Sequence, residues 1–131
     1  MSFEIRKLDL NKDYKELFGW WKDWGWDPFP KQLLPETGLM VFDGEKNICA
    51  GWIYKTDTKI CWLENIISNK DYKDNRNTAI SMLVEALGDE AKALGFSVVM
   101  TATKSKGLIN KYRKVGYIGT DEEMQHFLKV L

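Results

Sequence analysis

Glu64 lies in the run Trp62-Leu63-Glu64-Asn65-Ile66, where strand alternation would give it the same face as Trp62 and Ile66. Two apolar neighbours would raise its pKa and make it a candidate proton acceptor; a solvated strand carboxylate accounts for the residue equally well. The polar run Asp74-Asn75-Arg76-Asn77 stands before a long helical pattern. Unpaired amides at a helix start receive anions, and a guanidinium adds charge-assisted donors. The plainer reading is helix capping with Arg76 in solvent. Tyr112 carries a phenol that stays protonated at neutral pH and can donate without a metal, or else it packs a helix face.

Metal and disulfide chemistry find little support. Cys49 and Cys61 fall on strands either side of a turn at Thr56-Asp57-Thr58, which would place Cys61 opposite Ile53, and both read as reduced thiols. Neither has the neighbouring Cys and His ligands that zinc needs, so no metal site is expected. His126, the single histidine, shares an alternating face with Met124, Leu128 and Val130 and reads as a hydrogen-bonded core residue before a catalytic one, although an imidazole has a suitable pKa for proton transfer.

The front half is crowded with rings: Trp20, Trp21, Trp24, Trp26 and Phe29 surround Gly25 and two prolines. Phe18, Trp21 and Trp24 have the helical spacing of a core face. Trp20 and Trp26 are the better candidates for lining a pocket, whose aromatic walls would suit a planar or cationic ligand. Trp52 and Trp62 are expected to face each other across a hairpin.

The elements that would hold these residues follow from pattern. Phe3 to Leu8 alternates, and Asn11 or Asp13 could cap a helix over about Tyr14 to Trp24. Three strands, Gly38 to Phe42, Ile48 to Tyr54 and Ile60 to Ser68, read as an antiparallel meander joined by short turns. Ala79 to Leu94 is an amphipathic helix stopped by Gly95, then come a strand over Phe96 to Ala102, a short helix over Leu108 to Lys114, and strands near Tyr117 to Gly119 and Met124 to Val130. A chain of 131 residues, 44% apolar, suits one core and a single domain over 1–131. Basic and acidic residues balance at 19 each, so no global field favours nucleic acid or an anionic membrane. The opening residues lack an apolar signal core, and a soluble, cytoplasmic protein is expected.

The stretch Glu64 to Tyr72, the helix carrying Leu83-Val84-Glu85-Ala86-Leu87 and Ala91-Lys92-Ala93-Leu94-Gly95-Phe96, and the late segment Tyr112-Arg113-Lys114-Val115-Gly116-Tyr117 resemble, in that order, the GNAT N-acetyltransferases. The Trp-rich front is similar to that of small phage-encoded members. The resemblance implies an α/β (α+β) fold with a mixed, splayed sheet of six to seven strands, helices on both faces, and the third meander strand beside Phe96 to Ala102. It implies acetyl-CoA as co-substrate, bound by strand positions Ile66, Ile67 and Ser68, by the loop Asn75, Arg76, Asn77, Thr78 and Ala79, and by Ser105. The family's glycines are absent from that loop, where Asn75, Thr78 and Ile80 stand at the patterned positions. It further implies Tyr112 as general acid toward the departing thiolate, Glu64 as a base for the acceptor amine, and Trp20 and Trp26 beside that acceptor.

Three functions fit these residues. One is acetyl transfer to an amine by direct attack, with acetyl-CoA and an amine acceptor as partners and a homodimer among the options. A second is a non-catalytic binding protein of the same fold, engaging for example a host protein, which the missing glycines favour. A third is an acyltransferase acting on tRNA or a nucleobase, favoured by the aromatic front and by Lys104, Lys106, Lys111, Arg113 and Lys114, and opposed by the balanced charge.

Overall fold

A computed structural model describes residues 2–131. Its elements are β1 (Glu4–Lys7), α1 (Leu10–Asp23), a 3-10 turn (Lys31–Leu33), β2 (Gly38–Asp43), β3 (Lys46–Tyr54), β4 (Ile60–Ser68), α2 (Arg76–Ala93), β5 (Val98–Met100) and α3 (Lys106–Lys114). The sheet is mixed and five-stranded, in the order β1-β2-β3-β4-β5, with every pair antiparallel except β4 with β5. Parallel neighbours need a crossover, and α2 supplies it.

The sheet has fewer strands than the pattern suggested. Among the described residues no strand forms at 117–119 or 124–130, and Met124, Phe127, Leu128 and Val130 are exposed. His126 is therefore an exposed residue and not a core histidine. Alternation in that short segment marked strand propensity, which does not form a strand without a pairing partner.

α1 begins earlier than capping residues Asn11 or Asp13 would have it. Asp9 is the N-cap and accepts from the Asn11 amide at 3.1 Å, while Asp13 reaches back to the Asp9 amide at 2.9 Å. Both satisfy amides that a helix start leaves unpaired. Asp13 also takes both guanidinium nitrogens of Arg6, at 2.8 and 2.9 Å, fastening α1 to β1.

Alternate strand residues feed two cores. Leu17, Trp20 and Trp21 of α1 pack with Met40, Ala50, Trp52 and Ile67, whereas Leu83, Val84 and Leu87 of α2 pack with Val41, Cys49, Ile53 and Leu63. Successive strand residues point to opposite sides, so each helix covers one set. The pairing departs from the simple hairpin: Trp52 stands opposite Glu64 and Tyr54 opposite Trp62, so the two tryptophans do not face each other. Trp52 stacks instead on Trp21, ring centroids 6.0 Å apart. Cys61 likewise is not opposite Ile53, which pairs with Leu63, and Cys49 pairs with Ser68. Both thiols are free and buried.

Candidate active site

β4 carries an irregularity at its middle. Ala50 pairs with Ile67 and Trp52 with Glu64, so two β4 residues, Asn65 and Ile66, lie opposite the single residue Gly51. Asn65 absorbs the extra residue at φ 63°, a left-handed conformation that asparagine tolerates better than most side chains.

β4 also separates from β5. The ladder spans only Ile60 to Trp62 against Val98 to Met100, and Thr101 Oγ1 then closes it by donating to the Leu63 carbonyl at 2.7 Å. Beyond that point β4 runs on to Ser68 with no strand among the described residues beside it on the β5 side. The Asn69 amide donates to the Ile48 carbonyl at 2.7 Å, so by alternation Ile67 turns its backbone to β3 while Ile66 and Ser68 turn theirs into the opening. Of the three strand positions expected to pair with a ligand, two offer backbone groups there.

At the wide end of the opening α2 begins. Asn75 is its N-cap at φ 59°, so asparagine takes the left-handed turn for which the expected pattern would use glycine. The Thr78 and Ala79 amides bond the Asn75 carbonyl at 3.0 and 3.2 Å; those of Arg76 and Asn77, ahead of them, have no earlier helical carbonyl to reach, as at any helix start. The Arg76 side chain turns away from these amides. Its Nη1 donates to the Lys70 carbonyl at 2.9 Å and its guanidinium lies 5.2 Å from the Trp24 ring centroid. Asn77 Oδ1 receives Lys111 Nζ at 3.4 Å. Ser105 is the N-cap of α3 and accepts from the Leu108 amide at 3.3 Å.

At the narrow end sits Tyr112, on α3, 6% exposed, its ring 5.0 Å from that of Tyr117. Burial pushes its phenol above the ordinary value, a hydrogen bond with Thr101 opposes this, and the Glu64 charge adds to it. Glu64 is half-buried, and desolvation raises its pKa while the charge of His126 lowers it. The Tyr117 hydroxyl is buried without a partner and pushed up to about 12. Glu64 pairs with Trp52 of the α1 core, whereas Tyr112 belongs to the α2 core. Acid and base candidates thus approach the narrow end from opposite sides of the sheet.

The two aromatic candidates divide. Trp20 is 3% exposed and packs within the α1 core. Trp26 is half-exposed and stacks on Trp24 at 6.0 Å. Sequence reasoning did not pick out Thr101, which marks the narrow end, or Asn65. The Asn-Ile-Ile run after Glu64 was the available signal, since asparagine inside an apolar strand suggests a bulge. Among the described residues no three His, Cys, Asp or Glu side chains cluster as metal ligands, and no helix is long and apolar enough to cross a membrane. A surface depression of about 600 Å³, lined by Asp43, Glu45, Lys46, Asp71, Tyr72, Lys73 and Asp74, contains no candidate residue.

Solved structures share this fold. Glucosamine-6-phosphate N-acetyltransferase from Arabidopsis thaliana superposes with a TM-score of 0.67 at 16% identity, over 98% of this chain and 100% of that one. The chain has the GNAT fold. An acetyltransferase from Trypanosoma brucei gives 0.67 at 15% identity, over 97% and 100%. The ribosomal-protein-S18-alanine N-acetyltransferase from Escherichia coli gives 0.68 at 16% identity, over 88% of this chain and 77% of that one. No protein-family model and no curated protein matches the sequence. In this GNAT-fold chain the likeness, at 15 to 16% identity, is one of fold alone.

Proposed function

We propose that the chain is an acetyl-CoA-dependent N-acyltransferase acting on an amine. The observation that carries this reading is the opening between β4 and β5: a strand edge bent by a bulge, with backbone groups of Ile66 and Ser68 that no described strand pairs on the β5 side, leading to the N-terminus of α2. Such an edge suits the two amides of a pantetheine arm, and helix-start amides suit a pyrophosphate. The residues fit that co-substrate in part. Asn75 reaches the left-handed geometry without glycine, but Arg76 is turned onto Trp24 and the loop carbonyls.

In this reading Tyr112 keeps its proton, because burial holds the phenol above its ordinary value, and gives it to the departing thiolate. Glu64, on the other side of the sheet, accepts a proton from the attacking amine, and its raised pKa suits that task. Trp26 stacks on Trp24, which lies against Arg76 and the Ser68 carbonyl, so it belongs with the α2 end of the opening and not with Glu64 and Tyr112. The glucosamine-6-phosphate and the ribosomal-protein-S18 alanine for which two of these neighbours are named do not transfer to this chain, since one fold serves many acceptors.

Isothermal calorimetry with acetyl-CoA tests the reading. Binding at micromolar to submillimolar concentration is expected; no heat at millimolar co-substrate would favour a non-catalytic binding protein of the same fold.

A further inference from the structure

The β4 edge carries a contact that the reading above does not use. Trp24 Nε1 donates to the Ser68 carbonyl at 2.8 Å. That carbonyl points away from β3 and into the opening, as the Asn69 to Ile48 bond requires. It is one of the two positions at which a pantetheine amide would pair, and the indole already holds it.

Several groups keep the indole in place. Arg76 lies 5.2 Å and Lys70 5.3 Å from its ring centroid, and Trp26 stacks on it at an interplanar angle of 22°. Lys70 Nζ donates to the Asp23 carbonyl at 3.3 Å, and Arg76 Nη1 to the Lys70 carbonyl at 2.9 Å. The end of α1, the end of β4 and the start of α2 are therefore tied through one side chain. Trp24 is the C-cap of its helix, followed by Gly25 at φ +80°. The ring thus hangs from the end of an element and can turn out without unfolding it.

We propose that Trp24 is a latch on the β4 edge, whose indole must leave the Ser68 carbonyl before an acyl-pantetheine arm can pair there. The inference rests on the cofactor reading. Release of the indole would also loosen Arg76 and Lys70, the two cations held over its ring, so opening the edge and freeing positive charge for phosphate would occur together. Closed protein does not bind, so apparent affinity is reduced by the fraction that is open.

Calorimetry with coenzyme A on the wild type and on Trp24→Phe tests this. Phenylalanine keeps a ring for Arg76 and Lys70 but has no donor for Ser68, so affinity should rise by about 5-fold, the weight of one neutral hydrogen bond. Trp24→Leu, which removes the ring as well, should bind at least as tightly, with thermal melting to confirm folding. In the wild type, coenzyme A should shift the Trp24 indole N–H resonance and speed its hydrogen exchange, a readout that needs no variant. Equal or weaker binding by folded variants, or an indole signal that does not move on binding, overturns the latch and leaves the cofactor reading standing. Binding by the variants alone supports both. Absence of binding by every form overturns both.

Discussion

Thr101 Oγ1 and the Leu63 carbonyl are joined at 2.7 Å, one residue beyond Trp62 and Met100, the last paired positions of β4 and β5. The bond fixes where the two strands part. A side chain does here what the next backbone pair would have done in a longer ladder, and its hydroxyl also meets the Tyr112 phenol.

Thr101→Val keeps the shape and removes the donor. The variant should lose about 1–2 kcal/mol of stability, the range for leaving one carbonyl without its partner, and Tyr112 should lose the interaction that restrains its pKa. Thermal and chemical denaturation measure the first effect. Unaltered stability would mean that water takes over the carbonyl and that the parting point is set elsewhere.

Acid stability should depend on Asp13. Burial works to raise its pKa, but the Arg6 hydrogen bonds, the Asp9 amide and the charges of Arg6 and Lys12 outweigh it and hold the carboxyl below the ordinary 3.8. A depressed folded-state value contributes stability that is fully present above the unfolded value and is lost as pH falls through the folded one. Asp13→Asn should therefore cost about 1–3 kcal/mol at pH 7, a range below that of a fully buried pair because Arg6 is partly exposed. The gap to wild type should narrow below about pH 3.8, the ordinary aspartate value. A gap independent of pH would assign the loss to packing.

The limits of sequence reading show in particular residues. β4 was legible at both ends, Ile60 to Ser68, and the position of its parallel neighbour was legible too, because a helical crossover of the length of Ala79 to Leu94 constrains handedness and pairing, although that strand is Val98–Met100 and not the whole of Phe96 to Ala102. The register across β3 was not legible, since one residue in left-handed geometry at Asn65 moves Trp52 from Trp62 to Glu64. Trp20 and Trp21 are adjacent and both buried, a broad inward face that simple spacing understates. Trp24 could not be found at all: an indole donor to a strand carbonyl 44 residues away has no local signature.

Glu64→Gln separates a base from a bystander once an acceptor amine is identified. Desolvation raises the Glu64 pKa above the ordinary 4.5, so the acidic limb of kcat/KM should lie above that value and should disappear in the variant, with turnover about 10²-fold lower. Stability should change little, because desolvation of the half-buried carboxylate outweighs the attraction of His126, so Glu64 gains little by being charged. A variant with the wild-type rate and the same acidic limb would remove Glu64 from the chemistry and direct attention to water in the opening.

Tyr112→Phe tests the other proton. The ring and its contact with Tyr117 at 5.0 Å are kept, so the α3 packing should survive and affinity for acetyl-CoA should stay near that of wild type. Turnover should fall by about 10²-fold, the lower range for removing a general acid. The reason is that charge appears on the leaving sulfur only as the thiolate departs, so the contribution of the hydroxyl belongs to the transition state. Burial holds the phenol above its ordinary value of 10.0, which keeps it protonated through neutral pH, so the basic limb of the wild-type rate should lie beyond that value and be missing in the variant. A thiol-release assay over a panel of polyamines, lysine peptides and aminoglycosides supplies the acceptor. A phenylalanine variant that turns over at the wild-type rate would make Tyr112 a packing residue. Departure of the thiolate would then need no side-chain acid, which is chemically acceptable because a thiol of pKa about 8.5 leaves readily as the anion.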